Sequence, residues 1–362
     1  MFFFSLAALA RGVLHTRDYF YVGGQYVPSG AGGYLFENQM YVEHLTPAKV
    51  SQPHPIVFMH GGAQSGTNFL TKPDGGSGWA DWFLDHGYEV YLVDEPTRAR
   101  SPWNPAGGFP QSTWTDELIS SRFTAVRDST LWPQAKLHTQ WPGTGKKGDP
   151  VFDAFYQSNM QFIVDGTEQE RTVKEAGTAL LDKLGRRIVL VTHSQGGLYG
   201  WGLADARPDQ IAGLIQIEPK GPPFREVIFS TSFTRPWGLT SIPLTYSPAP
   251  TNLTSPLETQ VVKTTSADLV DCIIQAEPAK KLVNIAKVPI LVDTGEASYH
   301  AAYDHCTVMF LKQAGVENIE FLELGKAGIH GNSHMQFMEM NSDAIAEKLH
   351  DWILQTVEQK HE

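Results

Sequence analysis

A serine set in a tight, glycine-rich turn is the residue of this chain best placed to do chemistry. Ser194 lies in Thr192-His193-Ser194-Gln195-Gly196-Gly197-Leu198, after the apolar run 187–191 and before a stretch, 198–204, that reads as the start of a helix. A serine on a sharp strand-to-helix turn with glycines beyond it is a nucleophile elbow. Small residues let the turn close, the turn lifts the hydroxyl out of the sheet, and the first helical N–H groups face any charge that forms beside it. That geometry serves acyl transfer. Thr192 stands where the usual Gly-x-Ser-x-Gly pattern has its first glycine; the alternative to an elbow is a Ser/Gly loop that only caps a helix.

Acyl transfer needs donors for a tetrahedral oxyanion, a base and an acid. His60-Gly61-Gly62-Ala63-Gln64-Ser65-Gly66 follows a buried apolar run and suits an oxyanion loop. Its donors would be the N–H of Gly62 or Ala63, joined by that of Gln195 after the nucleophile. The base is expected late in the chain, where Gly328-Ile329-His330-Gly331-Asn332-Ser333-His334-Met335 offers His334, with His330 in reserve. The acid would ordinarily follow the penultimate strand, in a Gly-Glu-x-Asp-like turn. Here that turn is Gly295-Glu296-Ala297-Ser298, and a serine cannot stabilise an imidazolium as a carboxylate does. Glu218, at the end of the preceding strand, can reach the same histidine and is the predicted acid, ahead of Asp293 and Glu296.

The elements that must hold these residues alternate between strand and helix, the pattern of an α/β fold with a mostly parallel sheet. Strands are predicted at 38–45, 55–60, 88–94, 187–191, 211–218, 288–293 and 319–324. Turns are expected at Gly23-Gly24 and at residues 30–33. Helices are predicted near 79–86, at 168–184, after Ser194, at 304–314 and at 342–357. Two long excursions interrupt one large α/β domain: 102–165, rich in Pro, Trp and Gly, and 219–287, with many prolines early and helical patterning later. Such excursions commonly build lids or binding walls; the alternative is that they only pack.

The 362 residues, 41% hydrophobic, suffice for a sizeable core, and the formal net charge of −11 argues against nucleic acid as a partner. Neither metal-ligand spacing nor a cofactor motif is found, so no cofactor and no metal are expected. Cys272 and Cys306 read equally as a disulfide or as two thiols. Residues 2–10 are apolar and end like a signal-peptidase site, but lack a basic start and are short for a secretory signal. They are too short to span a membrane. With the acceptor sequon Asn252-Leu253-Thr254 as weak counter-evidence, the balance tips to a cytoplasmic protein over a secreted one.

Taken together, Ser194, Glu218 and His334 in that order, with His60-Gly61-Gly62 and the loop 94–101, resemble the α/β-hydrolase superfamily over roughly residues 38–358. Within it the chain is similar to bacterial and fungal carboxylesterases that carry a Glu after the sixth strand as acid and a Gly-Asn-Ser-His-like loop, here residues 331–334. The resemblance implies ester hydrolysis through an acyl-enzyme, without a cofactor. The expected partner is a small-molecule ester or lactone, and a homodimer through an insertion is compatible with the pattern. Trp103, Phe109, Trp114, Trp132, Trp141, Phe152, Phe155, Tyr156, Phe224, Phe229, Phe233 and Trp237 in the insertions point to an apolar or aromatic substrate, unless they form the insertions' own cores. The competing readings are the same triad used for carbon–carbon cleavage or acyl transfer in secondary metabolism, and a catalytically silent binding protein.

Overall fold

Runs of Val, Ile and Leu long enough for a strand, but not for a helix, bury both of their faces. In the computed structural model, which describes residues 12–107 and 109–358, they become the middle of an eight-stranded sheet. Its strands are β1 (His15–Pro28), β2 (Tyr34–Pro47), β3 (Ile56–Met59), β4 (Val90–Asp94), β5 (Ile188–His193), β6 (Ile211–Ile217), β7 (Ile290–Thr294) and β8 (Ile319–Glu323). They lie in the order β1-β2-β4-β3-β5-β6-β7-β8. β1 pairs with β2, and β2 with β4, in antiparallel fashion; every pairing from β4 to β8 is parallel. The predicted α/β class and mostly parallel sheet are what is observed.

Five helices flank the sheet: α1 (Trp79–Asp85), α2 (Gly166–Leu184), α3 (Gly196–Ala206), α4 (Asp304–Gln313) and α5 (Ser342–Trp352). α2 illustrates why they form where they do. The Asp165 carboxylate caps its first turn by accepting from the N–H groups of Thr167 and Glu168, and Gly185 ends it at φ 60°. Val173, Ala176, Leu180 and Leu181 make its buried stripe. Gly177 lets α3 come close, since a Cβ there would meet Leu203 at 2.9 Å. One buried cluster joins Leu180, Trp201 and Phe310 on one face of the sheet; Trp79, Phe83 and Trp352 belong to a second.

Two expectations need correction, and a third is not tested. Gly23 and Gly24 do not end a strand: both lie inside β1 at positive φ, opposite Asn38, which is also at φ 63°. The later part of 219–287 holds no α-helix. It consists of short antiparallel pairs, Thr259–Val262 with Cys272–Gln275 and Tyr246–Ser247 with Lys281–Leu282. The apolar residues 2–10 lie outside the described residues.

Cys272 and Cys306 form a disulfide that ties this second insertion to α4. The bridge closes a loop of sequence separation 34, so its reduction is expected to cost about 4 kcal/mol on the chain-entropy account. A thermal melt with and without reductant measures this; an unchanged Tm would contradict it.

Candidate active site

The carboxyl ends of the parallel strands collect the candidate site residues along one edge of the sheet, where open α/β sheets bind ligands. Ser194 follows β5 directly and sits at φ 55°, in the left-handed region that L-residues other than glycine seldom occupy. Its N–H donates to the Ile217 carbonyl at the end of β6, and its own carbonyl accepts from the N–H groups of Gly197 and Lys220. Glycines make this turn possible. A Cβ at Gly196 would come within 2.7 Å of the His60 carbonyl oxygen, and one at Gly197 within 2.5 Å of Pro219. Thr192 is accommodated because Gly200 faces it: a Cβ there would be 3.0 Å from Thr192 Cγ2. The Thr192 hydroxyl is taken by the side chain of Gln216 on the neighbouring strand.

Glu218 follows β6 in the same way, fully buried and at φ 46°. Its Oε1 accepts from the Gly295 N–H at 2.7 Å. Its Oε2 accepts from the Ser298 hydroxyl at 2.6 Å and is 2.6 Å from His334 Nδ1. The turn after β7 thus supplies two donors to Glu218 rather than an acid of its own. The pairing assigns the proton of His334 to Nδ1 and leaves Nε2 as the acceptor. Nε2 lies 3.2 Å from the Tyr299 hydroxyl, and the Ser194 side chain sits beside the same hydroxyl.

Burial holds His334 well below the ordinary histidine range, and the neighbouring His300 adds to this, so the imidazole is the free base at neutral pH. His300 is shifted the opposite way. Burial works against its charge, but Asp304 and Glu218 outweigh it and raise it. Its Nδ1 is 3.0 Å from Asp304, its Nε2 3.0 Å from the Tyr303 hydroxyl, and its ring stacks on His334. Burial pushes Glu218 upward, while His300, Ser298 and Gly295 oppose the rise.

The loop that carries His334 is fastened by Glu339, a residue outside the sequence expectations. It accepts from the Asn332 side chain at 2.8 Å and from the Ser333 N–H at 3.0 Å, and pairs with His138 at 2.8 Å. The reserve residues are elsewhere. His330 is exposed and pairs with Glu296 at 3.0 Å, and Glu296 also accepts from the Gly331 N–H. Asp293 is fully buried and held well above the usual carboxylate range by burial and by Glu218, so it is neutral. Among the described residues, the carboxylate hydrogen-bonded to His334 is that of Glu218.

The loop after β3 closes against Ser194. A Cβ at Gly61 would lie 3.0 Å from Ser194 Cβ, and one at Gly62 2.8 Å from the Trp114 ring. Gly62 and Gln195 line one cavity with Ser194. Ala63 does not: it is buried at φ 57°, its carbonyl accepting from the Met160 N–H. Buried Arg98 spans this region, donating to the Gly61 carbonyl at 3.2 Å and to Gln195 Oε1 at 2.8 Å, and pairing with Glu95 at 2.9 Å. Burial pushes Glu95 up to about 8 against the pull of Arg98. It lowers His60, which packs against the same group, to about 4. Arg98 therefore fixes the separation of the two segments that bear the candidate oxyanion donors. Replacing Arg98 by Met is expected to lower kcat about 10- to 100-fold with KM within about threefold, because such donors act in the transition state. Steady-state kinetics decide this; a change confined to KM would contradict it.

The cavity holds about 410 Å³, the size of a small-molecule site. The first insertion lines it with Trp114, Arg122, Phe123, Phe162, Ile163 and Val164, the second with Lys220, Gly221, Glu226, Phe229 and Ser230. Of the twelve aromatics singled out in the sequence, Trp114 and Phe229 line it. Trp141, Phe152, Phe155, Phe224 and Trp237 belong to the cores, and Trp103 and Phe233 are exposed. Phe123, Phe162, Tyr299 and Tyr303 were missed; Phe123 stacks on the His334 ring at 5.1 Å.

No protein-family model matches the chain. It is 47% identical over 339 residues to a protein of Fungal sp. (strain ATCC 74256) described as probable secreted lipase phiG; the match covers 93% of this chain and 89% of that one. Among solved structures it is similar to one described as a novel bacterial esterase. The TM-score is 0.61 and the identity 22%, over 96% of this chain and 98% of the other, a likeness of fold.

Proposed function

Since the chain belongs to the α/β-hydrolase family and is a carboxylic ester hydrolase, we propose that Ser194, His334 and Glu218 carry out the hydrolysis through an acyl-enzyme. The observation that carries this reading is the 2.6 Å contact between His334 Nδ1 and a buried, triply bonded Glu218, with Nε2 turned to the Tyr299 hydroxyl beside Ser194. Ser194 Oγ attacks the ester carbonyl as Nε2 takes its proton. Glu218 holds the imidazole in that tautomer and stabilises its cation. The N–H groups of Gln195 and Gly62, which line the cavity with Ser194, bind the oxyanion. His334 then hands the proton to the leaving alcohol. Water, deprotonated by the same nitrogen, releases the acid and restores the serine.

The two insertions form the wall of the substrate pocket, and its Trp and Phe lining favours an ester or lactone with an apolar or aromatic part. Against the cytoplasmic balance drawn from the sequence, an oxidising compartment fits the Cys272–Cys306 bridge, and the fungal relative is described as secreted. No helix among the described residues is long and apolar enough to cross a membrane. The test is turnover of p-nitrophenyl acetate, butyrate and octanoate together with labelling by a fluorophosphonate probe. The expected result is turnover and a label on Ser194; turnover without a label there would refute the assignment.

A further inference from the structure

The charged residues lining the cavity of Ser194 are Arg122, Lys220 and Glu226. Glu226 is already engaged: buried Arg235 pairs with it at 2.6 Å, and Lys220 stands 3.7 Å away. Arg122 has no such partner. Its guanidinium lies over the Phe229 ring, 4.1 Å from the centroid, and among the described residues no carboxylate pairs with it. The cavity therefore carries a surplus of positive charge in a protein whose net charge is −11, with 39 acidic residues against 28 Lys and Arg. This surplus is not a by-product of composition.

We propose that the substrate ester carries a carboxylate, bound by Arg122 with Lys220 contributing to the field; this rests on the esterase reading above. A guanidinium held over an aromatic ring still has N–H groups to offer, and its fork matches a carboxylate two bonds at a time. Burial works against the Arg122 charge, so an entering anion restores an interaction that the protein itself does not provide. The position also fits. Arg122 lies over Phe229, whose ring is 5.0 Å from that of Tyr299, the residue beside His334 Nε2, and Arg122 lines the same cavity as Ser194. The apolar walls then take the uncharged part of the same molecule.

The carboxylate can sit on the acid or on the alcohol half of the ester, and the experiment separates these. Wild type is assayed with phenyl hexanoate, with monophenyl adipate (anion on the acyl side) and with 3-carboxyphenyl hexanoate (anion on the alcohol side). Arg122→Met, Arg122→Lys and Lys220→Met are assayed beside it. The expected result is a kcat/KM for one of the anionic esters about 10- to 100-fold above the neutral ester. That preference is lost in Arg122→Met, partly kept in Arg122→Lys, and reduced in Lys220→Met. The ratio of anionic to neutral turnover cancels any loss of folded enzyme. A wild type that prefers the neutral ester over both anionic ones overturns the inference, as does a preference that survives Arg122→Met. Failure to turn over any of the three esters, with Ser194 unlabelled by fluorophosphonate, overturns the esterase assignment beneath it.

Discussion

Replacing Ser194 by Ala is expected to lower kcat for ester hydrolysis by about four to six orders of magnitude. The size follows from what is removed. In the proposed mechanism the hydroxyl forms the covalent intermediate, and among the described residues the other hydroxyl beside His334 Nε2 is that of Tyr299. Tyr299 is within reach of His334 Nε2, but burial holds its phenol well above the ordinary range, which makes it a poor source of an oxyanion nucleophile. Residual turnover would come from the oxyanion donors and binding alone. Active-site titration with a fluorophosphonate fixes the enzyme concentration in wild type, and the variant is assayed at matched protein concentration. Wild-type-like turnover in the variant would sink the acyl-enzyme mechanism.

The second large effect is expected at Glu218. Glu218→Gln is expected to reduce kcat by about three to four orders of magnitude. Two oxygens of Glu218 accept from three donors: the Gly295 N–H, the Ser298 hydroxyl and His334 Nδ1. An amide replaces one acceptor by a donor. Either the Gly295 N–H or His334 Nδ1 then faces an N–H, and the charge that stabilises the imidazolium is lost in both cases. Asp293→Asn is the matched control. Because Asp293 is already neutral in its buried position, its amide is expected to leave kcat within about tenfold. If Glu218→Gln keeps more than a tenth of the wild-type kcat, the acid lies elsewhere.

These residues differ in how well the sequence announced them. Ser194, Glu218 and His334 each sit at the end of an apolar strand or in a loop with a local signature, so one stretch of chain suffices to suggest each. The turn 295–298 was legible only by what it lacked. That Ser298 donates to Glu218 depends on two strands lying side by side, β6 and β7, which no local pattern reports. Arg98, His300 and Glu339 were missed for the same reason, since each acts on segments far away in the chain. The second insertion failed differently. Leu269, Val270, Ile273 and Ile274 have helical spacing, yet Cys272–Gln275 pairs as a strand with Thr259–Val262 and is held there by Cys306. Tertiary pairing and a covalent link override periodicity in so short a stretch.

The left-handed backbone at Ser194 and Glu218 bears on how such a chain drifts over generations. Each position asks a side chain to sit where glycine sits freely, at about 1–3 kcal/mol apiece, and Ala63 and Thr97 share the same region. Mutations to glycine there would make the fold easier to keep and end its chemistry. A lineage released from the need to cleave its substrate would lose the nucleophile and the acid early, while the sheet and its helices stayed intact. Side chains standing at both positions despite that cost are what the proposed chemistry asks of them.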